Sequence, residues 1–160
     1  MRNLAVLTAV AVTLLLLASP VAAREAPANA ATAMSASAKD SAATVDAFHA
    51  ALRRGDTGAA AALLADDALI FEAGGVERGK AEYAAHHLPA DAEFSKAVAT
   101  LVTRRAGDSS GDWAWVASEG RTTGIYKGKA IDQATTETML LRRDGRAWKI
   151  VHIHWSSGRR

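Results

Sequence analysis

The run Glu137-Thr138-Met139-Leu140-Leu141-Arg142-Arg143-Asp144-Gly145-Arg146-Ala147-Trp148-Lys149-Ile150-Val151-His152-Ile153-His154-Trp155 decides the fold. Two long apolar-rich segments flank Asp144-Gly145, a dipeptide that favours a tight hairpin turn. They read as antiparallel strands, Ala130 to Arg143 and Arg146 to Ser156. The same texture extends upstream through Trp113 to Tyr126 and Lys96 to Arg105, with turns expected at Gly107 to Gly111 and at Lys127-Gly128-Lys129. Side chains alternate along a strand, so Trp148, Ile150, His152 and His154 are expected on one face, with Lys149, Val151, Ile153 and Trp155 on the other. A slip of one residue in the pairing would exchange the histidines with Ile153 and Trp155.

Before this meander the pattern is helical. Val45, Phe48, His49 and Leu52 recur at helical spacing within Ser41 to Arg54, and Gly55 supplies a stop. Asp56 can cap a second short helix, Thr57 to Leu64. Ala68 to Glu72 reads as a strand turned by Gly74-Gly75 into Val76-Glu77-Arg78. Gly79 to His87 is a third helix, which must stop near Leu88 because Pro89 disfavours helical geometry in its predecessor. Three helices followed by an antiparallel meander predict an α+β domain with the helices on one side of a strongly curved sheet.

The first 23 residues are expected to be a signal peptide, with Arg2, the apolar run Leu4 to Ala18, and small residues at Val21-Ala22-Ala23. That run is short for a membrane span. The chain contains no cysteine, so disulfides and a lipid-carrying cysteine are excluded. These features predict a periplasmic or secreted bacterial protein with no membrane association after cleavage. Residues 24–39 are Ala-rich and read as a flexible linker, leaving one domain over 40–158. The arginine pairs fall near element ends without forming a stripe, which argues against a nucleic-acid partner.

Four stretches carry a resemblance: Leu69-Ile70-Phe71-Glu72 with Gly74-Gly75-Val76-Glu77, Tyr83-Ala84-Ala85-His86-His87-Leu88-Pro89, Glu137-Thr138-Met139-Leu140, and Trp148 to Trp155. Across Ser41 to Ser157 the chain resembles the nuclear transport factor 2-like superfamily, in its SnoaL-like branch of largely uncharacterised bacterial domains. The resemblance implies a cone-shaped, cystatin-like fold, often a homodimer through its sheet, with a pocket between sheet and helices. It does not imply one function, since such domains serve as isomerases, cyclases, dehydratases, ligand binders and association modules.

Five histidines are present, and four fall in two short segments. His152 and His154 are expected to face the pocket, with Glu137 on the neighbouring strand close to His152. A carboxylate beside an imidazole fixes its tautomer and suits general acid–base chemistry. Glu72 lies where isomerase and cyclase relatives place a carboxylate base, although the tyrosine that would accompany it is missing from the first helix, which offers Phe48 and His49. His49 reads as a core-edge residue. Tyr83, Trp115 and one of His86 and His87 are candidate ligand contacts; the two histidines diverge by about 100° on a helix, and a cap at its C-terminus suits them equally. Gly107-Asp108-Ser109-Ser110-Gly111 matches a hydrolase string but lies in a turn between strands, where no nucleophile elbow forms.

The expected function is small-molecule binding, with His/Glu proton transfer on a carbonyl compound if the protein is an enzyme. The alternative is an association module using Val151, Ile153 and Trp155 as a dimer face. A third reading is a mononuclear metal protein using two or three histidines with Glu137, although the spacing assigns no metal ligand. No other cofactor is expected.

Overall fold

A computed structural model describes residues 33–159. The expected signal peptide and the first part of the expected linker lie outside those residues. The elements are α1 (Lys39–Arg54), α2 (Thr57–Ala62), β1 (Leu64–Glu72), β2 (Gly75–Arg78), α3 (Lys80–His86), α4 (Leu88–Ala97), β3 (Val98–Ser110), β4 (Trp113–Tyr126), β5 (Lys129–Asp144) and β6 (Ala147–Arg159). The six strands form one sheet in the order β2-β1-β6-β5-β4-β3, antiparallel except for the β1–β6 pair. Helices pack against one face of this curled sheet, giving the α+β architecture read from the sequence.

Helix α1 presents Val45, Phe48 and Leu52 to the core. It ends at Gly55 in the left-handed region (φ 74°), where the backbone N–H reaches back to the carbonyls of Ala51 and Leu52. Asp56 caps α2 by accepting from the Ala59 N–H at 2.9 Å. Opposite these helices lie Leu64 and Ile70 of β1, Val116 of β4, Met139 and Leu141 of β5, and Trp148, Ile150 and Ile153 of β6. Each such fully buried large side chain contributes about 1.5–3 kcal/mol of transfer free energy.

Four sequence expectations are corrected. The helix before Pro89 does stop, but the chain restarts immediately as α4 with Pro89 in its first turn, where no N–H is needed. There are thus four helices among the described residues. The turn expected over Gly107 to Gly111 is confined to Gly111 and Asp112, because β3 runs on to Ser110. Gly107 sits inside that strand for want of space: a Cβ there would lie 2.7 Å from the Trp115 carbonyl oxygen and 2.9 Å from Met34 Sδ. The segment expected as linker is already seated at Met34, which bridges to Gly107; the Ser35 N–H donates to the Gly107 carbonyl at 2.9 Å, and a 3-10 turn follows over Ala36–Ala38.

The fourth correction decides the site. In the β5–β6 pair Leu141 faces Ile150 while Leu140 faces His152, so Val151 is left over as a β-bulge. The extra residue resets the alternation. Trp148 and Ile150 point to the core before it, and Ile153 and Trp155 point the same way after it. His152 and His154 are consequently on the outer face of the sheet, and Glu137 faces Trp155 instead of His152.

Candidate functional site: a cavity between the helices and the sheet

A cavity of about 450 Å³ opens between α1, α4 and the inner face of the sheet. Its apolar wall includes Leu52, Phe94, Val98, Val102 and Trp155. Its size falls within the range of small-molecule sites.

Glu137, on β5, is the polar centre. Its side chain is 10% exposed. One oxygen, Oε2, accepts from His49 Nε2–H at 2.7 Å and from Trp155 Nε1–H at 2.7 Å. Burial, the largest single influence, raises its pKa; the bonds from His49 and Trp155 and the nearby Arg105 outweigh it and hold the carboxyl below the usual glutamate value. The partners are themselves fixed. Trp155 stacks on Phe48 with centroids 6.3 Å apart, and His49 meets the Phe48 ring at 5.8 Å. Three residues before His49, Asp46 takes a 2.6 Å bond from Arg105, whose Nε–H also donates to Ser118 at 3.1 Å.

A second carboxylate group lines another part of the cavity. Glu72 ends β1 at the cavity mouth, its side chain exposed on one side yet partly desolvated by the surrounding protein, and Asp91 projects from α4. Asp91 accepts from the Tyr83 hydroxyl at 2.7 Å. Burial raises the pKa of both acids; the Asp91 charge raises Glu72 further, whereas the Tyr83 bond lowers Asp91 without cancelling the effect of burial. One cavity therefore holds a carboxylate kept ionised and two whose ionisation is opposed.

Of the site residues singled out in the sequence, Glu137, Glu72 and His154 are among those lining the cavity. Tyr83 is fully buried behind it and acts through Asp91. His154 reaches the rim by position, but its ring packs beside Phe71 on the outer face, as does that of His152, whose Nδ1–H donates to the Leu69 carbonyl at 3.0 Å. The expected His152–Glu137 pair is replaced by His49–Glu137. The His/His/Glu metal set is not assembled either, because its members lie on opposite faces, and no group of three or more potential ligands occurs among the described residues. Trp115 is on the outer face, since its neighbours Ala114 and Val116 point inward. His86 is exposed; His87 is exposed and its Nδ1 contacts the buried Glu77. Neither lines the cavity. Ile153 and Trp155 face inward, so they cannot form the expected dimer face.

The sequence reading missed His49, Trp155, Asp91 and Arg105. A readable signal existed for the first: Asp46 and His49 flank Phe48 on one helix edge at i,i+3 spacing.

The sequence profile of the SnoaL-like domain family matches residues 42–159. No curated protein matches the chain. Among solved structures, a protein from Shewanella frigidimarina, provisionally described as a ketosteroid isomerase, is 39% identical with a TM-score of 0.69, the match covering 71% of this chain and 92% of that one. A provisionally described calcium/calmodulin-dependent protein kinase II association domain from Xanthomonas campestris shares 22% identity at TM-score 0.65, covering 80% and 96%. A nuclear transport factor 2-like protein with a cystatin-like fold from Novosphingobium aromaticivorans shares 16% at TM-score 0.61, covering 74% and 80%. The last two likenesses speak to fold alone. With a family profile spanning nearly the whole described domain and a solved relative of substantial identity, the chain belongs to the SnoaL-like domain family and has the cystatin-like, nuclear transport factor 2-like fold.

Proposed function

We propose that the protein binds a compact, largely apolar carbonyl compound in the cavity and transfers a proton on it. The observation that carries this reading is the contrast between the two carboxylate groups. Glu137, ionised and held by His49 and Trp155 on Oε2, keeps Oε1 as an acceptor for a hydroxyl or N–H donor on the ligand, away from its carbonyl. Glu72, whose pKa is raised above the ordinary glutamate value by desolvation and by the Asp91 charge, has the character of a proton-transfer group. Asp91, fixed by Tyr83, keeps Glu72's proton affinity high and is a positioning residue. The provisional description of the Shewanella relative agrees with this class of reaction.

The test uses a β,γ-unsaturated ketosteroid and smaller β,γ-unsaturated ring ketones, following conjugation by ultraviolet absorbance and binding by calorimetry. Glu72→Gln should lower kcat by at least about 100-fold, the lower bound of what general acid–base catalysis contributes, and leave binding in place. Glu137→Gln should weaken binding most. Binding without turnover in the wild type would remove the catalytic part of the proposal, and absence of both would remove the whole.

A second copy of the chain is the proposed partner. The outer sheet face leaves Leu69, Trp113, Trp115 and Leu140 between 37% and 52% exposed, an apolar patch of the kind that marks association surfaces. We also place the mature protein outside the cytoplasm, on the signal-peptide pattern of residues 1–23. Amino-terminal sequencing of the exported protein should then begin at Arg24.

A further inference from the structure

The outer face carries a feature that neither the cavity chemistry nor the apolar patch uses. His152 and His154 project from the same side of β6, with ring centroids 6.4 Å apart. Phe71 of β1 flanks both, at 4.9 Å and 6.1 Å between centroids. The 3.0 Å contact between His152 Nδ1 and the Leu69 carbonyl fixes the tautomer, because a carbonyl oxygen only accepts: Nδ1 carries the proton and Nε2 keeps its lone pair. A backbone carbonyl on the far nitrogen is the usual outer partner of a metal-binding histidine. His154 is exposed, so its ring can turn toward its neighbour until both Nε2 atoms reach one ion at bonds of about 2 Å.

We propose that His152 and His154 chelate one divalent transition-metal ion on the outer sheet face. Imidazole nitrogens select Zn²⁺, Ni²⁺ or Cu²⁺ over Mg²⁺ and Ca²⁺, which prefer oxygen. Two imidazoles fill half of a tetrahedral shell. Water completes it in a single copy; in a face-to-face dimer the same two residues of a second copy can do so. The other histidine pair does not compete as a chelate: His86 and His87 are consecutive and His87 is engaged by Glu77.

The experiment is isothermal titration of ZnCl₂, and separately NiCl₂, into tag-free protein near pH 7.5, with the oligomeric state measured alongside. The wild type should bind one ion per chain, or one per two chains if the dimer completes the shell. His154→Ala and His152→Ala should each weaken binding by more than the roughly tenfold that losing even an outer partner costs. The double variant His86→Ala/His87→Ala should bind as the wild type does. The proposal is overturned if the wild type binds neither ion, if binding survives in both His152→Ala and His154→Ala, or if it vanishes in the His86/His87 variant. Should His152→Ala unfold through loss of its bond to Leu69, the exposed His154 position decides alone.

Discussion

Glu137 and Glu72 lie in the same cavity and answer to opposite forces. Hydrogen bonds hold Glu137 below its unfolded pKa, so its contribution to stability is present above about pH 4.5 and is lost as pH falls through the depressed folded value. The melting temperature should drop as pH falls below about 4.5, and Glu137→Gln should flatten that drop while lowering stability at neutral pH by about 1.5–3 kcal/mol, the worth of hydrogen bonds to a charged group. Glu72 has the reverse sign. Burial raises its folded pKa, so its ionisation costs stability as pH rises through that value. Glu72→Gln should therefore raise the melting temperature at pH 7 and change nothing at pH 4, which scanning calorimetry at the two pH values checks. Both acids were candidates in the sequence, Glu137 because it was expected beside His152 on the neighbouring strand and Glu72 through the family resemblance. His49 was not read as one: it looked like the edge of an apolar stripe despite its i,i+3 spacing from Asp46, and the register of β5 and β6 is what brings Glu137 above it.

That register turns on one residue. The sequence of β6 reads as an unbroken strand, and strict alternation then sends His152 and His154 inward. Ile150-Val151, two adjacent apolar residues in an otherwise alternating run, is where the parity changes, and a bulge there lets Trp148, Ile150, Ile153 and Trp155 all face inward. The four long strands and the turns at Lys127-Gly128 and Asp144-Gly145 could be read because β-branched and aromatic texture and Gly punctuation are local properties. The bulge could not, because it is chosen by burial across the sheet. Deleting Val151 should leave the facing of every later residue unchanged, whereas deleting Ile153 turns Trp155 outward. The melting-temperature loss on deleting Val151 should be less than half that on deleting Ile153. At α4 the lesson is similar: Pro89 was read as an ending when it also opens a helix, and that helix carries Asp91 to Tyr83.

At the scale of the whole molecule the curled sheet separates two surfaces. The inner one holds the cavity and the carboxylates; the outer one holds an apolar patch and the paired histidines. The association reading stays on the sheet but moves from the inward-facing Ile153 and Trp155 to Trp113, Trp115 and Leu140. Trp115→Glu should shift the protein toward monomer in sedimentation velocity and leave its fold intact, since that side chain is 37% exposed. The four tryptophans also divide by surface: Trp155 in the cavity, Trp148 in the core, Trp113 and Trp115 outside. The most direct measurement of the central claim is a ¹H–¹⁵N spectrum of the indole resonances during titration with ring ketones and enones. Ligand entry should move the Trp155 resonance, whose N–H is bonded to Glu137, and leave Trp113 and Trp115 in place, with the shift lost in Glu137→Gln. A Trp155 resonance that stays fixed while the outer tryptophans respond would contradict a cavity ligand.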